Sequence, residues 1–192
     1  MSFYFATANG THENSTRMTT RYFQLLYRWA SRNAFLIWMS NSQDGVFVDA
    51  DGRVPSFQSE ADLLHYTGRL GFDVVDEKPV LHDLDDLQAW LSSGHVGSFD
   101  CNDFLSAWNL FGDVARSVGG DFDSDMPATD SIYQKLFCGT DTANNVLRPP
   151  SEPRYTPAWT QDELHTLRQT LSAGLTLFHK VVVHVDPADT DT

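Results

Sequence analysis

Lysine is scarce in this 192-residue chain: three Lys and ten Arg face 26 acidic residues, for a formal charge of −13 with His neutral. That shortage disfavours a DNA- or RNA-binding module, which neutralises phosphates with clustered basic side chains. Cysteine is scarcer still. Cys101 and Cys138 lie 37 apart, outside any C-x-x-C spacing, and read as two buried free thiols rather than a disulfide. No run approaches the roughly 20 apolar residues of a membrane helix, and residues 1–6 carry no basic stretch ahead of an apolar one. The expected location is cytoplasmic, with no membrane and no direct nucleic-acid partner. Aromatics, by contrast, are plentiful: thirteen Phe, six Tyr and five Trp supply the apolar area that disordered acidic chains lack.

The negative charge is unevenly placed. Residues 1–72 hold six acids and six bases, residues 131–192 hold seven and five, and residues 73–130 hold thirteen acids against Lys78 and Arg116 alone. A salt-adapted protein spreads acid over its whole surface; here the middle stretch carries −11 of the −13. Asp and Glu are rarely buried without a partner, so most of these carboxylates face water or a basic partner. A field of that sign speeds encounter with a basic macromolecule.

Local signals divide the chain into a flexible segment at 1–17, a sheet-and-helix unit at 18–82, a mainly helical unit at 83–184 and a disordered tail at 185–192. Residues 21–29 are ambiguous between helix and strand. Phe35–Met39 is a short apolar run of the kind that forms a buried strand. Residues 46–48 and 53–57 flank an Asp-Gly turn and read as a hairpin, and 72–75 as a further strand. Ser59 caps a helix running to the glycines at 68 and 71. In the second half, helices are predicted over 83–92, from Asp100 to the Gly119-Gly120 stop, and over 130–137. The apolar residues Phe104, Trp108, Phe111, Ala115 and Val118 step by 4, 3, 4 and 3 along the second of these. The connection 139–158 contains four prolines and reads as irregular. Thr160 and Glu163 form a capping box for a last helix, with Leu164, Leu167, Leu171, Leu175 and Phe178 on its core face. The fold class is α+β: a small antiparallel sheet with a helix in the N-terminal half, and a helical C-terminal half packed against it.

Catalytic grammar is thin. Asp121-x-Asp123-x-Asp125 opens like a calcium loop, but Met126 stands where the sharp turn needs Gly and Ile132 where a bidentate Glu is needed. The seven His make no ligand pattern, and there is no G-x-S-x-G elbow or Gly-rich phosphate loop. No cofactor is expected, and the chain does not read as an enzyme. A Cys and His pairing at Cys138 is disfavoured against a buried apolar cysteine. Asn109 and Asp113, four apart and one residue off the apolar stripe, are the polar exceptions on the long helix; they satisfy nearby backbone or make contacts at an interface.

Several segments resemble immunity proteins of bacterial contact-dependent growth inhibition systems. These are Phe104-Leu-Ser-Ala-Trp-Asn-Leu-Phe-Gly-Asp113, Ile132-Tyr-Gln-Lys-Leu-Phe-Cys-Gly139, Tyr155-Thr-Pro-Ala-Trp-Thr-Gln-Asp-Glu163 and Ser172-Ala-Gly-Leu-Thr-Leu-Phe178. The Phe47–Gly52 turn and the Pro55–Leu64 stretch resemble the N-terminal part of the same proteins, so the likeness covers most of 33–182. It implies a cytosolic inhibitor that binds the toxic C-terminal domain of a delivered effector, commonly a nuclease, and blocks its active site. The charge argument meets this independently: a nuclease has a basic cleft, which an acidic surface can fill. Such families vary their contact surface, so the expected binding residues come from charge alone: Asp76, Glu77, Asp83, Asp85, Asp86, Asp121, Asp123 and Asp125. Two alternatives are a hydrolase with an acidic metal site at Asp121, Asp123 and Asp125, and a DNA mimic that inhibits a host DNA-binding protein.

Overall fold

The computed structural model describes residues 20–41, 43–93, 99–122, 127–149 and 151–186. The segment expected to be flexible at 1–17 lies outside them, as do residues 187–192 of the expected tail. The fold is α+β, with helices concentrated in the C-terminal half.

Residues 21–29 resolve as a strand because a long partner is available. Strand β1 (Arg21–Trp29) and strand β2 (Arg32–Ser40) pair antiparallel in unbroken register from Arg21–Ser40 to Trp29–Arg32. Their two-residue turn places Ala30 at φ 50° and Ser31 at φ 61°, the left-handed pair that a primed hairpin turn demands and that non-glycine residues adopt at a cost. Strand β3 (Gly45–Val46) pairs antiparallel with β2. The parallel pair is completed further along the chain by strand β4 (Val54–Ser56) and the late strand β6 (Val182–His184). Strand β5 (Leu81–Asp83) lies parallel to β1, so the main sheet has the order β3-β2-β1-β5.

The expected antiparallel sheet therefore holds for β1 to β3 and is corrected at β5, where the sheet becomes mixed. The 46–48 and 53–57 runs also depart from a simple hairpin. The turn forms, with Asp49 Oδ1 accepting from the backbone N–H groups of Asp51 and Arg53 at 2.9 and 2.8 Å. Beyond it the two runs diverge: Gly45–Val46 pairs with β2, while Val54–Ser56 pairs with β6 before Phe57 bridges back to Phe35 of β2. Residues 72–75 do not form a ladder; a parallel bridge between Tyr22 and Val74 is what remains, on the edge of β1 that β5 joins further along at Leu26–Arg28.

The helices follow their caps. Helix α1 (Glu60–Arg69) starts at Ser59, whose side chain accepts from the Asp62 N–H. Helix α2 (Leu84–Ser93) buries Leu84, Leu87 and Trp90. Helix α3 (Cys101–Val118) is capped by Asp100 and ends at Gly119, which takes φ 63° to close the last turn. It buries more than the single stripe its periodicity indicates: Leu105, Ala107, Leu110 and Val114 are also inside. The reason is its central position, packed against α2, β3, β5, helix α4 (Pro127–Gly139) and helix α6 (Gln161–Val181). Gly174 of α6 makes the closest approach, since a Cβ there would lie 2.4 Å from Phe111 Cδ2.

A further helix, α5 (Asp141–Val146), occupies part of the connection expected to be irregular. All four prolines of that connection follow it, at 149 and beyond, and Thr140 supplies a cap by accepting from the Ala143 N–H. The buried Asn144 then pins the proline-rich stretch, accepting from the Tyr155 N–H at 2.7 Å and donating to the Thr140 carbonyl at 2.9 Å.

Successive residues of β2 face opposite ways, and the core divides accordingly. Leu36 joins the larger cluster with residues of α2, α3, α4 and α6, which thus draws on both the 18–82 and the 83–184 regions. Ile37 joins Phe57 and Leu63 in a smaller cluster beneath α1. The sheet is therefore covered on one side by α1 and on the other by the helical layer.

Candidate functional site

Carboxylates gather at two places along α3. The first is its N-terminal end. Asp83, closing β5, is paired with Arg28 Nη1 at 2.8 Å, and its other oxygen accepts from the Asp85 N–H at 3.1 Å. Asp85 in turn accepts from the Ser31 N–H at 2.8 Å and steadies the β1–β2 turn. Asp86 is exposed, and Asp100 is exposed while capping α3 through the Asn102 N–H at 2.7 Å. Asp103 feels all of them: partial burial, then Asp100, Asp86 and Asp83, hold its carboxyl above the usual value. Neighbouring like charges disfavour the ionised form, and here they add to burial, the larger cause.

The eight acids singled out from the sequence do not form one patch. Asp83, Asp85 and Asp86 sit together, and Asp100 and Asp103 join them although charge counting passed them over. Asp76 and Glu77 are exposed on the connection that leads to β5. Asp121 is exposed just past the opposite end of α3, and an 18-residue helix spans roughly 27 Å. Asp123 and Asp125 lie outside the described residues. Among the described residues, no three His, Cys, Asp or Glu side chains gather closely enough to hold a metal ion.

The second place is the middle of α3. Asp113 accepts from Trp38 Nε1 at 3.0 Å and from Arg116 Nη2 at 2.9 Å. Burial raises its carboxyl despite both bonds, and Asp44 adds to the effect. Arg116 is fully engaged here, since its Nη1 donates to the Asp44 carbonyl at 3.0 Å. Tyr133, from α4, donates to Asn109 Oδ1 at 3.1 Å. These residues, with Trp108 and Asp130, line a cavity of about 690 Å³ between the sheet and α4. A smaller cavity of about 240 Å³ shares Trp38, Asn109 and Asp113 and is completed by Gln24, Val80 and His82, among others. Burial lowers the His82 imidazole, which hydrogen-bonds the Ser106 backbone and leaves Nδ1 buried without a partner. The Oε1 of Gln24 is likewise buried and unpartnered. The Asn109 and Asp113 pair was visible in the sequence as the polar exception on an apolar stripe; Gln24 and His82 carried no such signal.

A third cavity, of about 540 Å³, is walled by Phe99, Cys101, Tyr155 and Trp159 beside an Arg154–Asp141 ion pair. Burial, with Asp100 next to it, pushes the Cys101 thiol up to about 11, so it stays protonated and is no nucleophile at neutral pH. Both cysteines are free, but Cys138 is exposed at the end of α4 rather than buried, because its side of the helix faces away from α3 and α6.

No family model matches the chain, and no curated protein sequence does. Among solved structures the chain is similar to the SatS C-terminal domain crystallised in complex with bromine, with a TM-score of 0.46 and 14% identity. That likeness covers 85% of this chain and 94% of the other, and at its level it carries no argument about what the chain does. Among the described residues, no helix is long and apolar enough to cross a membrane.

Proposed function

We propose that this protein is an immunity protein: a cytosolic, non-enzymatic inhibitor that binds a basic toxin domain, a nuclease foremost, and covers its active site with an acidic face. The observation that supports this reading is the grouping of Asp83, Asp86, Asp100 and Asp103 at the start of α3, where burial first and then the three neighbouring carboxylates hold the Asp103 carboxyl above its usual value. A cationic surface laid over that group relieves the repulsion, so complex formation is favoured by more than simple attraction. The bases nearby do not neutralise the face. Arg28 takes Asp83 alone, and Arg116 is spent on Asp113 and the Asp44 carbonyl.

The reading is tested by mixing the protein with the product of the gene immediately upstream of its own, which is expected to be basic. The expected result is a complex whose association rate falls as salt rises, together with loss of the partner's toxic activity. A correctly folded sample that neither binds nor protects would remove the proposal. Charge reversal of Asp86, Asp100 and Asp103 slows association about tenfold if this is the contact face, since charged groups at an interface act mainly on the on-rate.

A further inference from the structure

The third cavity opens beside the acidic end of α3, since Asp100 belongs both to its lining and to the carboxylate group there. It holds about 540 Å³, and its apolar walls are half-buried rather than sealed: Phe99, Tyr155, Pro157 and Trp159 each keep part of their surface accessible. Polar ties fix these walls from behind. The Asp141 N–H donates to Asn102 Oδ1 at 3.0 Å and joins the start of α5 to the start of α3. Asn144 holds the Tyr155 N–H at 2.7 Å, and Lys135 donates to the Ala158 carbonyl at 3.0 Å, next to Trp159. The ring of Phe99 lies 5.5 Å from that of Trp159, centroid to centroid. A cavity preset in this way admits a side chain without first having to be ordered.

The walls decide the chemistry of the guest. Among the described residues, the buried side-chain atoms left without a hydrogen-bond partner belong to Gln24, His82 and Trp90, none of which lines this cavity. Cys101 on its wall is a protonated thiol, which behaves as a small apolar surface and packs well on rings. A guest therefore gains from apolar area and ring contacts rather than from hydrogen bonds, and an aromatic side chain supplies both while ordering only two torsions. The rim sets the charge beside it. Asp141 is already paired with Arg154, whereas the exposed Asp100 uses only Oδ1, on the Asn102 N–H and Nδ2 at 2.7 Å each, and its Oδ2 meets no donor among the described residues. We infer that this cavity receives one aromatic side chain of the basic partner, with a basic residue adjoining it in the partner's sequence set against Asp100. Aromatic anchors seated in pockets within a charged rim are where interface energy concentrates. The inference rests on the proposed function for the source of the side chain, and on the cavity alone for its chemistry.

The site is tested with N-acetyl-Phe-Arg amide as probe, following side-chain resonances of Trp159 and Tyr155 by NMR at millimolar probe. Saturable shifts are expected, with affinity about tenfold lower for N-acetyl-Ala-Arg amide, which lacks the ring. Asp100→Asn keeps the helix cap and removes the charge, and weakens the Phe-Arg probe about threefold. Thr156→Trp fills the cavity from its exposed edge and abolishes the shifts; the Thr156 side chain makes no hydrogen bond among the described residues, so this variant keeps the wild-type unfolding midpoint. Equal shifts with the alanine probe, or none with either, overturn the inference. In the complex the two readings act on different rates: Thr156→Trp speeds dissociation about tenfold, whereas charge reversal at the acidic end slows association. Probe binding without any complex with the upstream-encoded protein retains the cavity site and removes the immunity reading. A complex that Thr156→Trp dissociates no faster retains the immunity reading and removes the anchor.

Discussion

Two stretches of one helix use the same residue for opposite purposes. At the start of α3, Asp86 and Asp100 stand in water and the partly buried Asp103 has Asp100, Asp86 and Asp83 as like-charged neighbours, with Arg28 paired to Asp83. Midway along, Asp113 is sunk beside Trp38 and tied to Arg116, so that its charge is consumed in holding β2 against the helix. A carboxylate's contribution is thus decided by what surrounds it: crowding in water leaves charge available to a partner, while burial with donors turns charge into scaffolding. Sequence charge counting treats the two alike.

The contrast breaks most severely in the packed middle. Phe111→Ala removes a fully buried ring that Gly174 admits at close range, and is expected to cost about 4 kcal/mol in urea unfolding. Asp113→Ala strands the Trp38 N–H and frees Arg116, for an expected loss of about 2 kcal/mol; an unchanged midpoint would place Asp113 with the exposed acids after all. Asn144→Ala makes a comparable test with an uncharged side chain, because it strands the Tyr155 N–H.

At the crowded end the expected effect has the opposite sign. The folded carboxyls of Asp103 and Asp113 lie above their ordinary 3.8, so the folded state binds protons more readily than the unfolded chain. Their contribution to stability is fully present below the unfolded value and is lost as pH rises through the raised one. Glu163 runs against this: Lys135 and the Thr160 cap lower it, and its stabilisation is lost as pH falls. Asp103→Asn is therefore expected to flatten the pH dependence of the unfolding midpoint between about pH 4 and neutrality, with little change below that range. An unchanged or steeper dependence in the variant would show that Asp103 is not its source. The smallest expected change is at the β1–β2 turn. Replacing Ala30 by Asn and Ser31 by Gly fits residues that accept the left-handed pair and should add about 1 kcal/mol, read as a raised midpoint in thermal unfolding.

Much of this architecture was legible because it is written locally. The capping box at Thr160 and Glu163, the Asp100 cap and the Gly119 stop all concern residues within one turn of each other, and all appear as expected. What failed to show was decided at a distance. Residues 72–75 read as a strand on composition, yet they meet β1 at a single bridge while the ladder forms further along at Leu81–Asp83, a choice that no local pattern reveals. The short helix at 141–146 was hidden by prolines that follow it. The acid patch was half visible: Asp83, Asp85 and Asp86 adjoin in sequence, but Asp100 and Asp103 reach them through the docking of α2 on α3. Gln24 and His82 owe their significance to the absence of a donor, which is a property of packing alone.

The pairing of β4 with β6 sets a condition on how the protein is made. Ser56 and His184 are 128 residues apart, yet His184 Nδ1 lies 3.2 Å from the Ser56 carbonyl. During synthesis the β1–β2 hairpin can close as soon as it leaves the ribosome, since its contacts are sequential. Strand β4 has no such option; its parallel neighbour is translated 128 residues after it. Until then its edge stands open, so the interval between translating Ser56 and releasing Val182 is when the nascent chain is most exposed to pairing with another copy of itself.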